Sequence, residues 1–451
     1  MFANETANEA ANNVTNKVAN KGSMKIEINH GRLIDCTASL DAVQSLYIAD
    51  QCIVAVGTAP VGWTAQKIID ASGKVVCTGL VDLCARLREP GLEHKATLES
   101  EMLAAVAGGV TALVAPPDTD PVLYEPGLVE MLTRRALALN QARVYPLGAL
   151  TVGLLGAKLT EMVELTEAGC VGFTNGDHPI VDTVVLYRAM QYAATYGYTV
   201  WLRPEEAHLA RGGIAHDGEV ASRLGLAGIP ASAETVAIAT IITLMRDTGA
   251  RVHLARLSSR LGVDLVRTAK AEGLPLTCDV GVHHLLLTDR DIGHFDSQYR
   301  FAPPLRSPSD RDALSRGVID GTIDAICSDH TPVDEDAKNV PFGEAEPGAT
   351  GLELLLPLTL KWAGHASVSM ADALRKITSA PSALLRREVG HPGGGLAVGA
   401  AADLCIFDPA AFWAVTPQTL RSQGKNTPYL RRELQGRVTH TLVNGALVFK
   451  A

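Results

Sequence analysis

Hydrophobic and polar positions alternate with period two from Met24 onward, first in Lys25-Ile26-Glu27-Ile28-Asn29 and then through Gly31–Asp35, Ser45–Ile48 and Cys52–Gly57. Period two places alternate side chains on opposite faces and predicts short strands. The pattern returns near the other end, in Ala402–Asp408 and Val438–Gly445. Two β-rich segments, residues 24–72 and 391–451, therefore predict one small β-sandwich satellite domain built from both chain ends. Between them, over residues 73–390, short apolar runs alternate with stretches of helical period. The runs end near Asp82–Arg88, Leu113–Pro117, Tyr145–Ala149, Gly172–Asn175, Val200–Arg203, Val252–Leu257, Thr277–Val280 and Ile326–Asp329. Helical patterns fill the gaps, for example Leu98–Ala107, Val184–Tyr196, Ala233–Thr248 and Leu261–Glu272. This alternation predicts an α/β fold, a TIM-like (β/α)8 barrel. A doubly wound open sheet is the competitor, but it leaves the paired β segments at the two ends unexplained. Residues 1–23, rich in Asn, Ala and Lys, predict a disordered or weakly helical extension.

Composition narrows the partners. The chain has 451 residues, 47% of them hydrophobic and 20% charged, enough for a large barrel and a satellite. A formal net charge of −9 with scattered basic residues offers no footprint for nucleic acid or an anionic membrane surface. No apolar run approaches the roughly 18–20 residues that span a bilayer, and the expectation is a cytoplasmic protein. The eight cysteines contain no Cys-x-x-Cys pair and read as reduced, mostly buried thiols rather than a structural zinc site. Gly108-Gly109 and Gly393-Gly394-Gly395 read as turn glycines.

Candidate chemistry gathers at the predicted strand ends, where a barrel of this kind carries its site. Residues 81–91 read Val-Asp-Leu-Cys-Ala-Arg-Leu-Arg-Glu-Pro-Gly, so Cys84 and Arg86, two apart, share a face. Asp82 and Leu87–Gly91, with Val282–Asp289 and Pro303–Arg306, resemble the dihydroorotases of the amidohydrolase superfamily, and the resemblance runs from about Lys25 to the end. It implies a metal-dependent cyclic-amide hydrolase using zinc, with His-x-His where this chain has Cys84 and Arg86. By the same resemblance, Asn175 stands for a metal-ligating carboxylate or carboxylated lysine, and Arg203 and Arg256 stand for histidines. Asp329 alone is retained as metal ligand and general base. Guanidinium groups have no lone pair to donate. Each would also repel a divalent ion, by roughly 6–7 kcal/mol at ~5 Å and an effective dielectric of about 20. The expectation is therefore no metal cofactor, and without it no metal-activated hydroxide. Of the implied substrate contacts Arg88 is kept, Asp118 and Ala302 replace asparagines, and Val333 replaces a histidine before the loop Asp334–Phe342.

Other readings accompany these. His283, His284 and His330 are expected to be structural hydrogen-bonders. Cys84 beside arginines could be a thiolate of lowered pKa, although no base or oxyanion arrangement is legible. The arginines could bind an anion, but a closed salt-bridge cluster with Asp329, Glu205 and Asp177 is the expectation. The resemblance implies a catalytically inactive dihydroorotase homologue, like those that accompany the aspartate transcarbamoylase catalytic chain in some bacteria. It would be a non-catalytic subunit of homo- and hetero-oligomers in de novo pyrimidine biosynthesis, touching its partner through residues 1–23 or exposed helix faces. Two alternatives stay open: an active cyclic amidohydrolase with an atypical site using Asp329, His330, His283 or Cys84, and an anion-binding sensor.

Overall fold

The computed structural model describes residues 24–389 and 395–451. The expected extension 1–23, with any partner contact made through it, and the turn glycines Gly393 and Gly394 lie outside them.

The chain begins with five strands, β1 (Ile26–Asp35), β2 (Leu40–Ala49), β3 (Cys52–Val56), β4 (Lys67–Asp70) and β5 (Val75–Thr78). The barrel strands follow as β6 (Leu80–Asp82), β7 (Val110–Ala115), β8 (Arg143–Pro146), β9 (Gly148–Ala149), β10 (Phe173–Thr174) and β11 (Thr199–Leu202). After β11 an excursion carries the short parallel pair β12 (Ala215–His216) and β13 (Gly228–Ile229). The barrel resumes with β14 (Arg251–Leu254), β15 (Leu276–Gly281) and β16 (Ala325–Cys327), and the chain ends in β17 (Leu404–Ala414), β18 (Glu433–Val443) and β19 (Ala446–Lys450).

In the satellite, strands of both chain ends share one hydrogen-bonded sheet in the order β19-β18-β17-β5-β1-β2-β3, with β4 also on β1. The sandwich expectation is refined here. The sheet curls until Cys52 of its edge strand pairs with Ala401 just before β17, so its inner surface encloses its own core. Ile26, Ile28, Leu33, Leu46, Ile48, Ile53, Leu404, Ile406 and Leu442 meet there, fully buried. Each contributes about 1.5–3 kcal/mol by leaving water, which is why period two in the sequence survives as structure. The register of β1 shifts between Ile28 and Gly31. A Cβ at Gly31 would lie 2.6 Å from Val76 Cγ2, so only glycine lets β5 approach at that bend.

The eight predicted strand ends are all present, counting β8 and β9 as one strand broken at Leu147. Every barrel pair is parallel. β7, Val-Thr-Ala-Leu-Val-Ala, is buried at all six positions, as a strand covered on both faces must be. The open-sheet alternative falls because the two edges meet: Ala85 pairs in parallel with His330, Arg86 N–H donates to His330 O at 2.9 Å, and His330 N–H donates to Cys84 O at 3.1 Å. Helices Leu98–Ala107, Thr183–Tyr196, Ala231–Thr248 and Arg260–Ala271 stand within two residues of the periodicity. Thr97 and Ser100 form a reciprocal cap that starts the first of these, and Ser259 caps the last. Among the described residues no helix is long and apolar enough to cross a membrane.

Candidate functional site

The strand ends deliver their side chains to one charged cluster. Arg86, two residues past the closure at Cys84, is 4% exposed and extends across the mouth. Its Nε donates to Asp118 at 2.6 Å, one Nη to Asp177 at 2.7 Å and the other to Thr331 Oγ1 at 2.9 Å. Arg256, after β14, donates to Asp329 at 2.9 Å, to the Ala302 carbonyl at 3.2 Å and to Asp177. Arg203, after β11, clasps Glu205 through both Nη atoms at 2.7 and 2.9 Å, and its Nε lies 2.8 Å from Asp177. Asp177 is thus shared by three guanidinium groups.

The expected cluster of Arg86, Arg203 and Arg256 with Asp329, Glu205 and Asp177 is assembled in this structure, and Asp118 joins it. The resemblance placed Asp118 only as the replacement of a substrate-binding asparagine, whereas here it is a partner of Arg86. Thr331 was missed altogether, and a threonine after Asp-His carries no signal of its own. Burial raises the pKa of Asp177, but Arg256, Arg86 and Arg203 more than reverse this and hold it well below the carboxylate range. Asp118 is likewise low: burial opposes, while Arg86 and Arg88 outweigh it. Burial pulls Arg86 down, yet Asp118 and Asp177 leave its pKa above the usual value, so its proton is fixed.

The remaining predicted positions are placed differently. Asn175 turns into its own loop, accepting from Thr151 at 2.6 Å and donating to the carbonyls of Leu154 and His178 at 3.1 and 2.8 Å. Ala302 contributes only its carbonyl. Arg88 donates through Nε to the Pro332 carbonyl at 2.9 Å, and burial together with Arg86 lowers its pKa. The surroundings of Cys84 speak against a thiolate. Burial dominates the nearby cations and pushes the thiol far up, and its Sγ instead lies 3.8 Å from Asp329 as a weak donor.

His330 and His284 are held by hydrogen bonds, as expected. His330 Nδ1 accepts from Gly351 N–H at 3.0 Å, which leaves Nε2–H to donate to Glu101 at 2.5 Å, while His284 Nε2 donates to the Pro303 carbonyl at 3.0 Å. His283 has the Ser328 backbone as its polar neighbour, and its ring packs against Phe301 and Tyr429 at 5.1 and 5.7 Å between centroids. Burial and the neighbouring His284 lower its pKa to about 3, so it is a neutral core ring.

Arg88, Arg256 and Asp329 hold left-handed backbone, with φ of 63°, 60° and 48°. Such angles are uncommon outside glycine, and two of these residues, Arg256 and Asp329, pair with each other.

The donor set does not fit a divalent metal. Three of the strand-end positions present protonated guanidiniums, and Asp118, Asp177 and Asp329 already accept from them. Among the described residues no group of three or more His, Cys, Asp or Glu could hold a metal ion. Chemically, the arrangement can tie strand ends together electrostatically, and it offers no lone pairs converging on one point.

Residues 73–261 match the dihydro-orotase-like family and residues 318–449 the amidohydrolase family. The chain is 46% identical over 424 residues to a dihydroorotase-like protein of Pseudomonas aeruginosa, covering 94% of this chain and 99% of the relative. It is 38% identical over 427 residues to a dihydroorotase of Syntrophotalea carbinolica, covering 95% and 99%. An L-hydantoinase structure from Arthrobacter aurescens superposes with a TM-score of 0.83 at 24% identity over 94% of this chain and 96% of that one, a likeness of fold. Near-full-length identity of this degree, on a barrel closed between Cys84 and His330 with its charged mouth at the strand ends, means that the chain belongs to the dihydroorotase-like family of the amidohydrolase superfamily.

Proposed function

We propose that this protein is a catalytically inactive dihydroorotase homologue serving as a non-catalytic structural subunit of an aspartate transcarbamoylase complex, in cytoplasmic de novo pyrimidine biosynthesis. The observation that carries this reading is the Arg86–Asp177–Arg256 bridge. It fills the mouth with paired fixed charges where a hydrolase of this family needs open ligand positions around a metal-bound hydroxide. The fold-bearing elements, in contrast, are whole: barrel closure, capped helices and a curled satellite remain available to present an outer surface. The protein uses no metal cofactor and acts in homo- and hetero-oligomers.

The test uses the purified full-length chain. Metal content by mass spectrometry and ring opening of dihydroorotate are measured first, then co-elution with the aspartate transcarbamoylase catalytic chain on a sizing column. The reading expects no stoichiometric metal, no turnover, and one larger complex whose transcarbamoylase activity depends on mixing. Stoichiometric zinc with turnover would establish the active-hydrolase alternative instead.

A further inference from the structure

The segment after the eighth strand runs from beside Thr331, the partner of Arg86, to the excursion after β11, and it is laced around one buried amine. Val333 N–H donates to Asn426 Oδ1 at 3.0 Å where the segment begins, and Phe342 and Ala345 are buried within it. At its tip a Cβ on Gly343 would lie 3.4 Å from Ile214 Cδ1, so it abuts the excursion that follows β11. Lys95 pairs with Glu346 at 2.5 Å, tying it to the loop that carries Arg88. Arg300 donates to the carbonyls of Phe342 and Gly343, and Gly348 N–H donates to the Arg300 carbonyl at 2.8 Å.

Lys338 lies at the centre of this lacing, 4% exposed. Its Nζ faces three carbonyl oxygens, Glu346 at 2.6 Å, Ser297 at 3.1 Å and Arg300 at 3.4 Å. Among the described residues no carboxylate lies within ion-pair distance of it. A neutral amine has two N–H donors and satisfies the two shorter contacts, whereas an ammonium is buried there beside the Arg300 guanidinium without a counter-ion.

We propose that residues 333–348 form a lid, laced between the end of the eighth strand and the excursion after β11, whose opening is coupled to proton uptake at the Lys338 amine, so that it loosens as pH falls from alkaline toward neutral. The charged groups facing the amine are Arg300 and Asp296 from the segment beneath and Glu346 from the lid itself. Burial and Arg300 lower the amine to about 7 in the closed lid, with Glu346 and Asp296 opposing. Once open, a solvated lysine returns to about 10.4. Between those values the open state binds more protons than the closed one, so the opening constant rises as pH falls, by up to about tenfold per unit.

Hydrogen exchange of the lid amides, corrected for intrinsic rates, tests this in the full chain between pH 6 and 9. The wild-type lid is expected to lose protection as pH falls, approaching a tenfold change per unit above pH 7 and levelling below it. Lys338→Met and Lys338→Arg, neither of which titrates in that range, are expected to give flat profiles. A flat wild-type profile overturns the proposal whether or not either variant folds, and a slope that persists in a folded variant assigns the proton elsewhere and overturns it too.

Discussion

Arg86 and Asp177 meet at 2.7 Å across the barrel mouth, joining the end of the first strand to the loop after the fourth. The same carboxylate also serves Arg256 and Arg203, so its removal takes one partner from each of three cations, leaving them Asp118, Asp329 and Glu205. Breaking a fully buried pair costs roughly 3–5 kcal/mol, and Asp177 is 31% exposed, which moderates the loss. Asp177→Asn is expected to destabilise the protein by about 2 kcal/mol, read as a lower urea midpoint at unchanged slope. A variant as stable as wild type would show that the cluster adds nothing to the fold.

Restoring the first two family ligands should not restore chemistry. In Cys84→His with Arg86→His, Asp329 is still held by Arg256, Asn175 remains bound within its own loop, and Arg203 still occupies its strand end. No zinc retention through dialysis and no ring opening of dihydroorotate are expected. Turnover by this double variant would contradict the ligand accounting on which the inactive reading rests.

Cys84 should be inert although arginines surround it. The thiol is 7% exposed and burial keeps it protonated, so alkylation at pH 8 followed by peptide mass spectrometry should modify the half-buried Cys52 at least about tenfold faster. Preferential labelling of Cys84 would revive a nucleophilic role.

Asp82 makes a pH signature. Fully buried, it accepts from Ser328 N–H at 2.8 Å and from the Ser328 hydroxyl, but burial outweighs these bonds and raises its pKa to about 6. A carboxyl raised on folding stabilises the native state below its unfolded pKa, and that contribution is lost as pH rises through 6. Relative to Asp82→Asn, wild type should lose up to about 3 kcal/mol of stability between pH 4 and 7, measured by denaturant titration at each pH. Parallel pH profiles for the two proteins would refute this.

Strand ends and helix spans were legible because apolar periodicity is a local property, and β7 or helix Leu98–Ala107 could be read directly from it. The three arginines were legible through motif position, since side chains at strand C-termini converge whatever their chemistry. The sharing of Asp177 was only partly so. Its partners sit on three strands, and the role of Asp118 depended on which residue Arg86 reaches. Neither the curl that brings Cys52 to Ala401 nor the lacing of Lys338 has a local signature: each depends on contacts between segments far apart in the chain, and backbone carbonyls leave no trace in side-chain sequence. The aromatic surroundings of His283, Phe301 and Tyr429, had no signal in its polar motif either.

The left-handed angles at Arg88, Arg256 and Asp329 have a consequence for redesign. Each costs of the order of 1–3 kcal/mol outside glycine, and all three survive in a mouth now filled by ion pairs. The bends are therefore held by the main-chain framework together with the ion pairs of the mouth. Anyone wishing to install new reactivity in this scaffold inherits a pre-shaped aperture, part of whose shape goes with its furnishings.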